Sequence, residues 1–266
     1  MGNKITFLDI DGTLVDMPSG MIEPAQSTIE ALKKFREDGN YTVVATARSA
    51  VPKTISKLNF DGYIFCNGNY IVFNNEVLHD NYFSIEDIQY IVNLCDKCDA
   101  QYLLSGHQGV WCSDLDHPLC VRQRELFLGG PDKPKESIEI WEVEDVHANM
   151  GTILFKNEKD MEDFKEKLPK NWVVHAYVEA NIRMDIHLPG FSKGSAVEFL
   201  FKKLGIDKED TFAFGDAQND IEMLKLVKHG IAMGNGTDEV KSIAYYVTDE
   251  VNKDGIANAL KKFRAI

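Results

Sequence analysis

The chain has 266 residues, 44% of them apolar and 27% charged, with a formal net charge of −13. That length holds one large domain or two smaller ones, and the acidic balance argues against nucleic acid as a partner while leaving room for a small anionic substrate. No apolar run approaches the ~18 residues of a membrane span and no signal-peptide pattern opens the chain, so the expected compartment is the cytoplasm, with no membrane partner.

The first third alternates strands and helices. "KITFLDI" reads as a buried strand, and "EPAQSTIEALKKFREDG" as a helix with Pro24 in its first turn and Gly39 past its end. "YTVVAT" is a second strand, "AVPKTISKL" a short helix and "GYIFC" a third strand. This βαβαβ order predicts a parallel sheet. "NYIVFNNEVLHD" then predicts a hairpin turning at Asn74–Asn75.

From Tyr82 the rhythm changes. "SIEDIQYIVNLC" is helical, with Ile88, Ile91, Val92 and Cys95 on one face. The lone CxxC of Cys95 and Cys98 therefore reads as core, since no second Cys or His pair has metal-site spacing. Paired strands follow in "AQYLLS" and "GVWCS", then a helix near "LCVRQRELFL" and strands at "SIEIWEV" and "GTILFK". "EKDMEDFKEKL" is a helix, and "WVVHAYV" with "NIRMDIHL" an antiparallel pair. After "LPG" the α/β rhythm returns: helix "SKGSAVEFLFKKLG", strand "TFAFGD", helix "AQNDIEMLKLV", strand "GIAM" and a final helix "GIANALKKF". The expected architecture is α/β: a Rossmann-like parallel-sheet core in two segments, 1–81 and 188–266, with an α+β module, 82–187, inserted between them.

In open α/β sheets ligands bind beyond the carboxyl ends of the strands. Polar residues stand at four such ends: Asp9 and Asp11 after the first strand, Thr46 and Arg48 after the second, Asn67 after the third, and Asp216 in "FGDAQND". Several acids at one edge point to a cation, and oxygen ligands with water completing the shell suit Mg²⁺. Asp9 and Asp11, two residues apart, share one side of an extended segment, and Gly12 permits the turn that follows. One carboxylate can bind metal and act as a nucleophile while the other exchanges a proton with the leaving group. Lys193, in the first turn of a helix, opposes the helix dipole; beside several acids it points to phosphate neutralisation.

"DIDGT" at 9–13, the Thr after strand two, the Lys opening a later helix and "GDAQND" at 215–220 together resemble the four motifs of the haloacid dehalogenase-like phosphatase superfamily. The tail "GIAMGNGTDEVKSIAYYVTDEVNKDGIANAL" resembles its Cof-type branch, and the inserted module its class IIB cap. The resemblance implies a Mg²⁺-dependent phosphatase of small phosphorylated metabolites, most plausibly sugar phosphates, with a phosphomutase as the alternative within the superfamily. Asp9 would form an aspartyl-phosphate. Asp11 would protonate the leaving oxygen and lend its backbone carbonyl to the metal, with Asp216 as the third protein contact. Thr46, Lys193 and Asn219 would hold the phosphoryl oxygens, and Asp220 would orient Lys193 or the metal. The pattern departs from the family at Ala47, Ala217 and Asn69. Asn69, with Arg48 and Asn67, is a candidate for contact with the leaving group. In the inserted module His107, Arg122, Arg124 and Arg183 are candidates, with solvated surface as the competing reading.

Rival motifs are weaker. "GFSKG" at 190–194 matches a serine-hydrolase elbow, with Asp216 or Asp220 and then His229 completing a triad order. It leaves "DIDGT" unexplained, and Ser192 is more simply the cap of the helix that Lys193 opens. A calcium-loop reading of "DIDGTLVD" needs Gly where Leu14 stands and Glu where Gly20 stands. "GNGTDE" at 234–239 lacks the third glycine of a dinucleotide fingerprint.

Overall fold

The computed structural model describes residues 3–128, 142–178 and 181–266. They fall into two compact units, one comprising Met1–His79 with Phe191–Ile266 and the other Asp80–Gly190.

In the first unit β1 (Ile5–Leu8), α1 (Gln26–Glu37), β2 (Tyr41–Ala45), α2 (Lys53–Ser56) and β3 (Gly62–Phe65) follow one another, with the hairpin β4 (Tyr70–Phe73) and β5 (Glu76–Asp80) next, the last residue of β5, Asp80, already belonging to the second unit. Asn74 and Asn75 turn it with φ of 49° and 64°, the paired positive values a two-residue hairpin turn requires. Pro24 lies outside α1, which is entered through Ala25 in an extended conformation, so the expectation of Pro24 in the first helical turn is corrected.

The second segment of this unit supplies the other half of the same sheet. Here α6 (Lys193–Lys203), β11 (Thr211–Gly215), α7 (Ile221–Leu226), β12 (His229–Ala232), α8 (Asp238–Ile243), β13 (Tyr246–Val247) and α9 (Gly255–Lys262) run in order; the numbers between belong to the second unit. The strands stand in the order β13-β12-β11-β1-β2-β3-β4-β5. β1 pairs in parallel with both β2 and β11, Ile5 lying opposite Tyr41 on one side and Thr211 on the other. The order reverses at β1, so its carboxyl end is a switch point where helices leave on opposite faces and a crevice opens.

Every residue of β1 is buried because both faces are covered. Leu8, Val44, Phe212 and Phe214 pack with Leu32 and Phe35 of α1 and Ile256 and Leu260 of α9. Ile5, Phe7, Val43 and Ala213 pack on the other side with Val197 and Leu200 of α6 and Leu224 of α7. α8 and β13 are short and were not expected from the sequence; β13 adds only Tyr246 and Val247 to the sheet edge.

The second unit holds α3 (Ile85–Cys98), β6 (Gln101–Gly106), β7 (Gly109–Cys112), α4 (Pro118–Leu128), β8 (Met150–Leu154), α5 (Glu158–Lys165), β9 (Val173–Tyr177) and β10 (Arg183–His187). Its sheet is antiparallel, in the order β7-β6-β8-β10-β9. Tyr102, Leu104, Ile153, Met184 and Ile186 pack with Ile88, Ile91 and Cys95 of α3 and Phe164 of α5. Cys95 is thus a core residue. Leu94, rather than Val92, is the fourth fully buried position on α3. The expected strand "SIEIWEV" lies almost wholly outside the described residues, and Val143 within it begins a 3-10 turn. The fold is therefore mixed α/β, with a central sheet of mainly parallel strands and a separate antiparallel sheet.

Candidate active site

Asp9 follows the last residue of β1, and its amide still pairs with the carbonyl of Phe214 on β11 at 3.1 Å. Its side chain is nearly buried. Lys193, the first residue of α6, reaches it: Nζ donates to Asp9 Oδ1 at 2.6 Å and to Asp220 Oδ1 at 2.5 Å. The Lys193 side chain is 2% exposed, so the ammonium is almost completely withdrawn from water. Burial alone would lower its pKa, but the charges of Asp220 and Asp9 outweigh that and raise it.

Asp220 is itself locked. Its Oδ2 accepts the backbone amides of Asp216 and Ala217, at 2.9 and 3.0 Å. Gly215 makes this turn possible, since a Cβ there would stand 2.5 Å from the Asp220 side chain. Asp216 then receives the Thr13 hydroxyl on Oδ1 at 3.0 Å. Gly12 has φ +82°, and a Cβ on it would lie 2.1 Å from Asp216 Oδ2. "DGT" at 11–13 thus serves the second acid as well as the first: the glycine makes room for Asp216 and the threonine bonds it.

Asp9, Asp216 and Asp220 place one carboxylate oxygen each within 4.8 Å of one another. With all three ionised they would set an excess of two negative charges against the one ammonium of Lys193. The strain shows in their proton affinities. Burial first, then Asp220 and Asp11, push Asp9 up to about 7 against the pull of Lys193. Burial, Asp9 and Asp220 push Asp216 up to about 8. Hard oxygen donors with this charge excess fit Mg²⁺, which would reverse the repulsion.

The carboxylate of Asp11 points elsewhere. Arg48 donates to both its oxygens, Nε to Oδ2 and Nη2 to Oδ1, each at 2.7 Å. The expected metal contact of Asp11 rests on its carbonyl alone. Thr46, buried at the end of β2, accepts the Arg48 amide on Oγ1 at 3.1 Å. Asn67 adopts φ +54° just past β3, and its Oδ1 accepts from Asn219 Nδ2 at 3.2 Å. Asn67 Nδ2 is buried and has no hydrogen-bond partner among the described residues. Asn69 is fully buried, and its side-chain amide donates to Cys66 O at 2.8 Å, which braces the turn after β3.

Asn235, given no role by its motif, donates to the Gly12 carbonyl at 2.7 Å and accepts the Val251 amide at 2.9 Å, holding the turn after Asp11. It stands in the glycine-rich "GNGTDE". In the second unit Arg124 donates to the carbonyls of Cys120 and Leu115, which ties it to its own helix and the loop before it. Arg183 lies over the Tyr177 ring, 4.2 Å from its centroid. His107 and Arg122 are exposed.

The serine triad does not assemble. Ser192 accepts the Ser195 amide at 3.0 Å as the N-cap of α6. His229 is paired beside Phe212 at the start of β11, three residues and roughly 10 Å along the sheet from Gly215.

The haloacid dehalogenase-like hydrolase family model matches residues 6–260. The YkrA protein of Bacillus subtilis (strain 168) is 28% identical over 264 residues, covering 98% of each chain. A phosphoglycolate phosphatase of Nitrosopumilus maritimus (strain SCM1) is 28% identical over 264 residues, covering 99% of this chain and 97% of its own. Among solved structures, the subclass IIB sugar phosphatase BT4131 superposes with a TM-score of 0.82 at 27% identity, covering 99% of this chain and 100% of the other. Family model, whole-length relatives and superposed fold agree with the motif set at the β1 edge, and the chain belongs to the haloacid dehalogenase-like hydrolases as a phosphatase of that superfamily.

Proposed function

We propose that the chain is a Mg²⁺-dependent phosphatase of small phosphorylated metabolites, sugar phosphates foremost, working through an aspartyl-phosphate on Asp9. The observation that carries this reading is the buried ammonium of Lys193 bridging Asp9 and Asp220 beside Asp216. A lone buried lysine among three acids organises an anionic pocket that still needs a cation. Asp9, Asp216 and the Asp11 carbonyl would hold Mg²⁺, which when bound supplies charge to the phosphoryl oxygens.

Lys193 holds Asp9 Oδ1 and leaves Oδ2 to attack phosphorus in line. As that P–O bond forms, the bond to the leaving oxygen breaks, and Asp11 gives that oxygen its proton. Asp11 then takes a proton from water as the water attacks phosphorus, and the bond to Asp9 breaks to release phosphate. Thr46, Lys193 and Asn219 meet the phosphoryl oxygens, and the buried Asn67 Nδ2 suits an anionic acceptor. The sugar phosphatase BT4131 favours a sugar phosphate, and the phosphoglycolate phosphatase of Nitrosopumilus maritimus makes phosphoglycolate the natural comparison.

The test is a panel of sugar phosphates and phosphoglycolate, assayed for free phosphate with Mg²⁺ and with EDTA, on wild type and Asp9→Asn. Sugar phosphates should turn over fastest, EDTA should abolish turnover, and Asp9→Asn should fall at least about 10³-fold. Full activity in EDTA, or in Asp9→Asn, would overturn the mechanism; a preference for phosphoglycolate would overturn the substrate class.

A further inference from the structure

Apart from the acids of the β1 edge, a second group of ligand-bearing side chains lies wholly within the unit Asp80–Gly190. Asp80 closes β5, His107 sits on the turn between β6 and β7, and His147 stands shortly before β8. One ligand atom from each lies within 4.8 Å of the other two. His147 Nε2 is 3.0 Å from Asp80 Oδ2, and the rings of His107 and His147 meet edge-on with centroids 4.9 Å apart. We propose that Asp80, His107 and His147 form a binding site for a divalent transition metal of the Zn²⁺ class.

The backbone builds this convergence. Asn149 N donates to Ser105 O at 2.8 Å, which draws the start of β8 beside the end of β6. Phe83 N donates to Ala148 O at 2.9 Å and brings in the chain just after Asp80. Gly106 lets the turn bearing His107 approach the His147 segment, for a Cβ there would stand 2.0 Å from the His147 carbonyl oxygen. The donors are also aimed. Asn149 Nδ2 donates to Asp80 Oδ1 at 2.7 Å and to Asn81 O at 3.0 Å, turning Asp80 Oδ2 toward His147. The Tyr82 ring lies 4.0 Å from the His147 ring and steadies its plane. Carboxylates and imidazoles that ligate metals are held by this kind of outer hydrogen bond and packing.

Two imidazoles and one carboxylate favour Zn²⁺, Co²⁺, Ni²⁺ or Cu²⁺ over Mg²⁺, whose preferred donors are all oxygen. Donors bound at ~2.0–2.1 Å in a tetrahedron stand about 3.3 Å apart, so the Asp80–His147 contact opens only a few tenths of an ångström. His107 is exposed on its turn, with a ring nitrogen already within 4.8 Å of the donor atoms of Asp80 and His147. Three protein donors leave a fourth position for water. The ion would tie Asp80 to the segments bearing His107 and His147 in the same unit, and binding only the folded chain it would raise thermal stability.

The experiment titrates Zn²⁺ into the full chain against a chromogenic chelator, with millimolar Mg²⁺ present to occupy the carboxylates of the β1 edge. Wild type and Asp216→Asn should each take up one Zn²⁺, and His107→Ala should bind at least about 10-fold more weakly while melting like wild type in EDTA. His147→Gln is the second variant, expected to show the same loss. Co²⁺ should give visible absorption bands in wild type that His107→Ala lacks. No uptake by wild type, equal affinity in His107→Ala, or loss of uptake in Asp216→Asn would overturn the site.

Discussion

Arg48 grips the carboxylate of Asp11 at both oxygens, each contact 2.7 Å long, with the arginine side chain 12% exposed. A planar fork on a carboxylate fixes direction as well as charge. In this arrangement Arg48 sets the direction in which Asp11, two residues from Asp9, presents its carboxylate. Arg48→Lys keeps the charge and loses the fork. It should lower kcat about 10-fold and leave Mg²⁺ affinity unchanged, read by steady-state kinetics and a Mg²⁺ titration.

The raised proton affinities of Asp9 and Asp216 make the metal-free protein pH-sensitive. Both groups keep protons in the folded state, to about 7 and about 8, that the unfolded chain releases near 3.8. The folded state therefore binds more protons between these values, and stability falls as pH rises through that window. Melting temperature in EDTA should decline from pH 5 to pH 8, and Mg²⁺ should restore it most at the alkaline end. Calorimetry at several pH values checks this, and a flat profile in EDTA would count against it.

Gly12 and Gly39 share a left-handed backbone, at φ +82° and +85°, but not a neighbourhood. A Cβ on Gly12 collides with Asp216, whereas nothing lies within 4 Å of one on Gly39. Gly39→Ala should cost about 1–2 kcal/mol of stability and leave activity intact. Gly12→Ala should carry the same strain and also displace Asp216, weakening Mg²⁺ binding and turnover at least about 10-fold. Paired melts and kinetics separate the two effects.

Removing the ammonium of Lys193 leaves two buried carboxylates facing each other. Lys193→Met should destabilise the protein by about 3–5 kcal/mol at pH 8. The loss should shrink at pH 5, where Asp9 takes up a proton. Denaturant unfolding at both pH values measures the difference, and an equal loss at each would show that the damage comes from packing.

Much of the β1 edge was legible because its residues are local to strand ends. A buried run such as "ITFL" ends where it becomes polar, and an alternating β/α order places such ends on one side of a sheet. Asp9, Thr46 and Asp216 could be read in this way, and Lys193 and Ser192 from the start of the helix they open. Thr13 and Asn235 could not. Thr13 bonds a residue 203 positions later, and Asn235 holds a carbonyl 223 positions earlier. Nothing in a short window encodes either distance.

Hydrophobic period and motif spacing are properties of neighbouring residues, so most strands and helices, and the acids with their lysine, could be read along the chain. Which of these groups meet is set by packing between distant segments. The register of β1 beside β11 brings Thr13 to Asp216, the packing of α6 on the sheet brings Lys193 to Asp9 and Asp220, and the turn after β2 delivers Arg48 to Asp11. Packing also buried Asn69 as a brace and gathered Asp80, His107 and His147 from three separate stretches. Hydrogen bonds and charge pairs act over about 3 Å, and which groups come that close is settled by the packing of distant segments.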